Sequence, residues 1–408
     1  MTPIMYARLS AMVFLHYFVW SCWYVTMGTY LTEKRIFSGE EVGLAYGTIA
    51  IGAMISPFFI GIVADRFFAS ERLLSLLHLS GAALLYWIST IHSFGLFYPV
   101  LIVYATSYMA GHALTSTITL HHVTDPAKNF PHVMLMGSVG WIAAGLINSA
   151  LDLGSSAGMF RLAALAALVT GIYSLTLPYT PPKGKGAPIS PRVLLGLDAL
   201  KLMRDRSFAT FIVCSLLICI PLSFYFTWIG FFMTELNFSN VASKLTIGQV
   251  SDVVFLLMLP VLLPILTVKG ILLVGIAAWA VRFLLFAWFY QQQDQSWMLY
   301  LGIAVHGMCY DFIFVMGRMY VDRWASIDIR GAAQGLHTFV TLGLGMFIGT
   351  WLAGIVGQYY SYKVGKETLY HWDSIWMVPV VMAVVLFVAF AVLFKNSIPP
   401  SEREGAAG

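Results

Sequence analysis

Long, unbroken apolar runs dominate this chain, each close to the length that crosses a bilayer. A membrane-spanning helix needs about 20 mostly apolar residues, because hydrocarbon offers its backbone no hydrogen-bond partners. Twelve such runs are predicted, over residues 8–31, 43–64, 72–91, 95–118, 130–150, 158–178, 207–233, 246–267, 270–290, 297–321, 331–356 and 374–394. A membrane β-barrel would instead show short segments that alternate apolar and polar residues. The composition agrees: 59% of 408 residues are hydrophobic and 10% charged, against roughly 25% charged in soluble domains. A soluble fold and a disordered chain are both excluded. The net charge of +4 is scattered and forms no basic tract for nucleic acid. Cys22, Cys214, Cys219 and Cys309 lie in apolar runs without metal-ligand or disulfide-framework spacing. No metal cluster, cofactor fingerprint or nucleophile-and-base spacing is evident, so neither an enzyme nor a bound cofactor is expected.

The basic residues orient the spans. Of the 23 Lys and Arg, fifteen fall on the side that holds both ends of the chain and six on the other. Arg66, Arg72, Lys201, Arg204 and Lys269 belong to the first group, and Lys34, Arg35 and Lys244 to the second. Arg282 and Arg318 lie within runs. This bias places both termini of a multi-pass membrane protein in the cytoplasm. Arg8 is the only charge at the start of the first run and no small-residue cleavage site follows, so that run is read as a retained span.

A polar stretch from Pro178 to Arg206 divides the runs six and six. The predicted organisation is a six-helix half at 1–178, a cytoplasmic linker at 179–206, a second half at 207–395 and a cytoplasmic tail at 396–408. Val193–Met203 in the linker reads as a short amphipathic helix at the interface. The expected fold is therefore all-α, with twelve transmembrane helices in two pseudo-symmetric halves, a plan common among transporters. No G-x-x-x-x-G-K-[ST] motif is present, which leaves an ion gradient as the energy source. Carboxyls inside the spans favour protons over sodium.

Ionisable residues at membrane depth are costly and are functional candidates by default. Four stand out: Asp252, Arg282, Asp311 and Arg318. Gln249 and Asp252 share a helix face, suited to substrate hydrogen bonding and to carrying a proton; a structural ion pair is the alternative. Asp311 and Arg318 are seven apart, so Asp311 is expected to pair with Arg282 or Arg318, as a gate or as static packing. His306 and Tyr310, four apart, can hydrogen-bond and stack on a flat ligand, and His306 can titrate. Ser138 and Trp141 share a face of the fifth run, and Trp20, Trp23, Tyr24 and Thr26 populate the first. Gly137, Gly140, Gly343, Gly345 and Gly349 permit close helix approach. Asp65 and Arg66, after Gly61, are placed to cap helix ends and hold a gate by charge pairing.

The Gly61-x-x-x-Asp65-Arg66 element resembles the signature of the major facilitator superfamily. More specifically, the chain resembles the nucleoside:proton symporter family of enterobacterial type over nearly its whole length. The stretches that carry this include Trp20-Ser21-Cys22-Trp23, Gln249-Val250-Ser251-Asp252, Trp279-Ala280-Val281-Arg282-Phe283 and Arg330-Gly331-Ala332-Ala333-Gln334-Gly335. The resemblance implies the major facilitator fold, alternating access and proton-coupled nucleoside import. It implies nucleoside contacts at Gln249 and Asp252, at Ser138 and Trp141, and at His306 and Tyr310, followed by the family's Asp at Asp311. Three polar family positions depart, falling on Met134, Ser223 and Phe226. Another small polar solute, such as a sugar derivative or peptidoglycan fragment, therefore stays open beside the nucleoside. A non-transporting membrane sensor is the remaining alternative. Lipid and the solute are the expected partners, and the chain is expected to work as a monomer.

Overall fold

The computed structural model describes residues 2–35, 37–59, 68–182, 197–326, 329–365 and 367–395. The chain forms two compact units. One comprises residues 1–189 with 228–246, and the other residues 190–227 with 247–408.

The first unit contains α1 (Pro3–Tyr24), α2 (Met27–Glu33), α3 (Gly39–Phe59), α4 (Ser70–Ile88), α5 (Phe94–His122), α6 (Pro126–Ala150) and α7 (Gly158–Ser174). Local chemistry sets their starts. Thr2 Oγ1 accepts from the Met5 N–H at 3.3 Å, capping α1 just before Pro3. Ser38 and Glu41 form a reciprocal capping box ahead of α3: Ser38 N–H donates to Glu41 Oε2 at 2.8 Å, and Glu41 N–H to Ser38 Oγ at 3.2 Å. Helix α1 packs on α6, α3 on α5, and α4 on α7. Gly140 serves the first of these contacts, because a β-carbon there would run into the Phe14 carbonyl. Leu9, Met12, Val13, Leu74, Ile118 and Val133 fill one part of the core.

The second unit opens with a short 3-10 helix, Leu197–Arg204, which packs against the Arg330–Thr338 segment. It stands where the sequence predicts an amphipathic interfacial helix; residues 193–196 of that prediction lie outside the described residues. Helix α8 (Arg206–Glu235) follows, belonging to this unit as far as Thr227, and Asp205 Oδ1 caps it by accepting from the N–H groups of Ser207 and Phe208. Helix α9 spans Val241–Gln291 and is two helices meeting at Thr267, whose φ of 59° breaks the ladder. Lys269, just past this bend, donates to the carbonyls of Ala391 and Phe394 at 2.7 Å, satisfying the last turn of α12 (Trp372–Leu393).

Between them run α10 (Trp297–Trp324) and α11 (Arg330–Tyr359). Neither is a uniform helix. Helix α10 breaks at Val305 and then takes a π-helical turn over Asp311–Val315. Helix α11 has a π-helical stretch at Phe339–Gly345. Such turns are frequent at functional sites. A two-stranded hairpin, β1 (Ser361–Val364) with β2 (Glu367–Tyr370), follows α11 and was not expected of an all-α chain. It is antiparallel, pairing Ser361 with Tyr370 and Val364 with Glu367, and Gly365 holds a positive φ at its turn.

Among the described residues, eight helical stretches are long and apolar enough to cross a membrane. The difference from twelve predicted runs has local causes. The predicted runs 246–267 and 270–290 merge into α9. Helix α7 is apolar but spans only 17 residues. Helix α4 carries Glu71, Arg72 and His78, and α3 is described only as far as Phe59.

Candidate functional site

The second unit gathers the ionisable residues of α9 and α10 around one buried guanidinium. The break at Val305 brings the carbonyls of Gly302 and Ile303 to Arg282, which donates from Nε to Gly302 O at 2.8 Å and from Nη2 to Ile303 O at 3.4 Å. Gly307 N–H, on the other side of the break, donates to Ser251 Oγ at 3.0 Å. This contact needs Gly307 itself, since a β-carbon there would meet the Ser251 carbonyl. So α9 and α10 are held together by side chains of α9 that bond the backbone around the break.

Arg282 is fully buried and its charge is met by rings rather than a carboxylate. Its guanidinium carbon lies 3.9 Å from the centroid of the Tyr225 ring and 5.2 Å from that of Trp279. Arg282 Nη2 also approaches His306 Nδ1 at 2.8 Å. His306 Nε2 in turn lies 3.9 Å from Asp252 Oδ1. Arg282, His306 and Asp252 thus form a line from the interior of the unit to a partly exposed carboxyl, the Asp252 side chain being 21% exposed. Asp252 Oδ1 is itself buried and has no hydrogen-bond partner among the described residues. The rings of Tyr225, Phe226 and Tyr310 surround His306, with centroids 5.2, 6.1 and 6.0 Å from its own.

The structure therefore brings together Asp252, Arg282, His306, Tyr310 and Phe226, all named from the sequence. It does not pair Asp311 with Arg282. Asp311 is buried, and its Oδ2 also lacks a hydrogen-bond partner among the described residues. Arg318 is exposed, and its carbonyl accepts from Gln334 Nε2. Seven residues of regular α-helix return a side chain to nearly the same face, and the wider turn at Asp311–Val315 shifts that register. Gln249 is half-buried one turn from Asp252. Ser223 is fully buried, with its hydroxyl donating to Cys219 O at 2.7 Å and to Met346 O at 3.3 Å.

In the first unit, Trp141 meets Trp20 edge-on at 5.3 Å and Tyr24 at 6.4 Å. Ser138 lies half-buried one turn before Trp141. Trp23 turns away and stacks on Phe160 at 5.9 Å. Thr26 donates to Met159 Sδ at 3.4 Å. Met134, where the resembled family carries Arg, packs against the apolar cluster around Leu9 and Val133. Asp65 and Arg66 lie outside the described residues.

Two groups escaped the sequence reading. Tyr225 supplies the aromatic ring that lies nearer the Arg282 charge, at 3.9 Å against 5.2 Å for Trp279. A histidine group in the first unit is the other: His16 Nδ1 and His78 Nε2 lie 3.0 Å apart, and His16 stacks on Tyr108 at 4.4 Å. Tyr108 also donates to the His16 carbonyl at 2.9 Å, and the His112 ring lies 5.5 Å from that of His16. His16, His78 and His112 sit inside apolar runs. Counting histidine with Asp and Arg as an ionisable residue at membrane depth would have found them.

Residues 4–398 match the family model described as Nucleoside H+ symporter. The chain belongs to that family. The proteins it resembles include a putative nucleoside transporter, YegT, of Escherichia coli (strain K12). That protein is 35% identical over 403 residues, covering 96% of this chain and 94% of its own length. The xanthosine permease of the same organism is 30% identical over 409 residues, covering 97% of each. A crystal structure of nucleoside transporter NupG, in a mutant form, superposes with a TM-score of 0.89 at 26% identity, covering 96% of this chain and all of that one. The chain is thus an all-α multi-pass membrane protein with the fold of this symporter family. Among the described residues no group of three or more His, Cys, Asp or Glu is placed to hold a metal ion.

Proposed function

We propose that this chain imports nucleosides together with protons, by alternating access across the bacterial inner membrane. The observation that carries the reading is the Asp252 carboxyl: partly exposed, facing His306, and with Oδ1 buried and unpartnered on the same helix face as Gln249. A carboxyl so placed can hold a proton in one state and bond a substrate or His306 in another. Family membership over residues 4–398 favours a nucleoside over a sugar derivative or peptidoglycan fragment, and favours a carrier over a sensor.

In this reading twelve spans form two six-helix halves, 1–178 and 207–395, joined by the linker 179–206, with both termini cytoplasmic and the monomer as the working unit. Ser138, Trp141, Phe226, Gln249, Asp252, His306 and Tyr310 are the proposed substrate contacts. Asp252 and Asp311 are the proposed proton carriers. Ser223 contributes by helix packing, because its hydroxyl is already engaged. Met134 and Phe226 replace polar groups of the resembled pattern with apolar ones, which shifts selectivity among nucleosides. Uptake of labelled uridine, adenosine, inosine and xanthosine into a transport-deficient host tests the reading. Saturable uptake that a protonophore abolishes supports it, and no uptake above the empty vector for any of them overturns it.

A further inference from the structure

Arginine N–H groups can only donate, so the 2.8 Å contact between Arg282 Nη2 and His306 Nδ1 makes Nδ1 the acceptor. A neutral imidazole carries one proton, and it must then sit on Nε2, the nitrogen that faces Asp252 Oδ1. A second proton on Nδ1 would point straight at the Arg282 N–H. Arg282 has no freedom to retreat, since Gly302 O, Ile303 O and the Tyr225 ring hold it from three sides. We propose that Arg282 is a positioning residue that locks His306 in its Nε2–H form, so that His306 serves Asp252 as a fixed hydrogen-bond donor and does not itself carry the transported proton.

This assignment rests on the proposed symport, in which Asp252 is the group that changes protonation. It changes what His306 contributes. When Asp252 is ionised, the Nε2–H of His306 is a ready donor across the present 3.9 Å gap. When Asp252 is protonated, that attraction weakens and the carboxyl is free for another partner. The titratable and charged groups facing His306 are Arg282 and Asp252 from α9, Tyr225 from α8, and Tyr310 on its own helix. Among these groups, Arg282 is the one placed against Nδ1.

The test is nitrogen NMR of the full-length protein, labelled at histidine ring nitrogens and held in lipid nanodiscs. The His306 signals are assigned by their loss in His306→Gln. The expected result is one neutral Nε2–H pattern between about pH 5 and pH 8, the range over which an ordinary imidazole changes charge. An Nδ1–H pattern, or a signal that titrates across that range, overturns the assignment. In Arg282→Gln, whose amide can donate or accept, the His306 signals are expected to become pH-dependent. Equilibrium exchange of labelled nucleoside by this variant, with equal pH on both sides, is expected to gain an inflection near pH 6.5. Wild-type-like signals and an unchanged exchange profile in a folded Arg282→Gln protein overturn the positioning role. If that variant does not fold, the wild-type spectrum decides alone. Absence of any nucleoside transport would overturn the proposed function and leave the ring-nitrogen result standing, so the two failures are distinguishable.

Discussion

Arg282 and Tyr225 meet face to face inside the second unit, the guanidinium carbon 3.9 Å from the ring centroid, with both side chains buried. A cation in that position has left water and is met by two carbonyls, one imidazole nitrogen and an aromatic face. It is the fixed point from which His306 and, through it, Asp252 are arranged.

Tyr225→Leu removes the aromatic face and leaves a void beside Arg282 where the outer ring stood. The expected loss is about 2 kcal/mol or more, from the cation–π contact and the cavity together. Tyr225→Phe keeps the face and is expected to cost less. Thermal unfolding of the two variants in detergent, compared with the parent, checks the order. Equal melting temperatures for both would refute the contact's importance.

Gly307→Val is expected to separate α9 from α10 at the helix break. The new side chain meets the Ser251 carbonyl and displaces the bond from Gly307 N–H to Ser251 Oγ. Overpacking of this kind costs about 1–3 kcal/mol or more. Ser251→Ala leaves the same buried N–H unpaired and is expected to cost about 1–3 kcal/mol. Both should lower thermal stability, and both should lower transport more than stability, since the break orders Arg282 and His306. A parental transport rate in either variant would contradict this.

Met134→Arg restores the basic residue of the resembled family but places it against Leu9, Val133 and their neighbours. Burying an unpaired charge there costs several kcal/mol unless the side chain reaches water. Reduced yield of folded protein, read by size-exclusion chromatography, is the expected outcome. Normal yield with a new substrate preference would show that this position opens to the ligand.

The fold was largely legible because a bilayer allows few solutions. Long apolar runs must be helices, and the structure has helical segments over each predicted run as far as it is described. The failures occurred where a helix departs from its ideal period. Asp311 and Arg318 were expected to share a face by spacing alone, a π turn at Asp311–Val315 lies between them, and Asp311 Oδ2 has no hydrogen-bond partner among the described residues. The break at Val305 left no mark in hydropathy, so the reach of Arg282 to Gly302 and Ile303 could not be foreseen. Aromatic abundance hid Tyr225, one of 20 tyrosines, as the ring that meets the buried charge. The candidate site residues Asp252, His306 and Tyr310 were legible because polar groups at membrane depth are costly and therefore conspicuous.

The central claim, that Asp252 couples proton movement to nucleoside movement, is tested most directly by Asp252→Asn in proteoliposomes. Uptake of labelled nucleoside is measured with an inward proton gradient and, separately, as exchange against unlabelled nucleoside at equal pH. The expected result is loss of gradient-driven accumulation with exchange retained at a measurable rate, because the amide bonds the substrate but carries no proton. Accumulation at the parental level in Asp252→Asn would contradict the account.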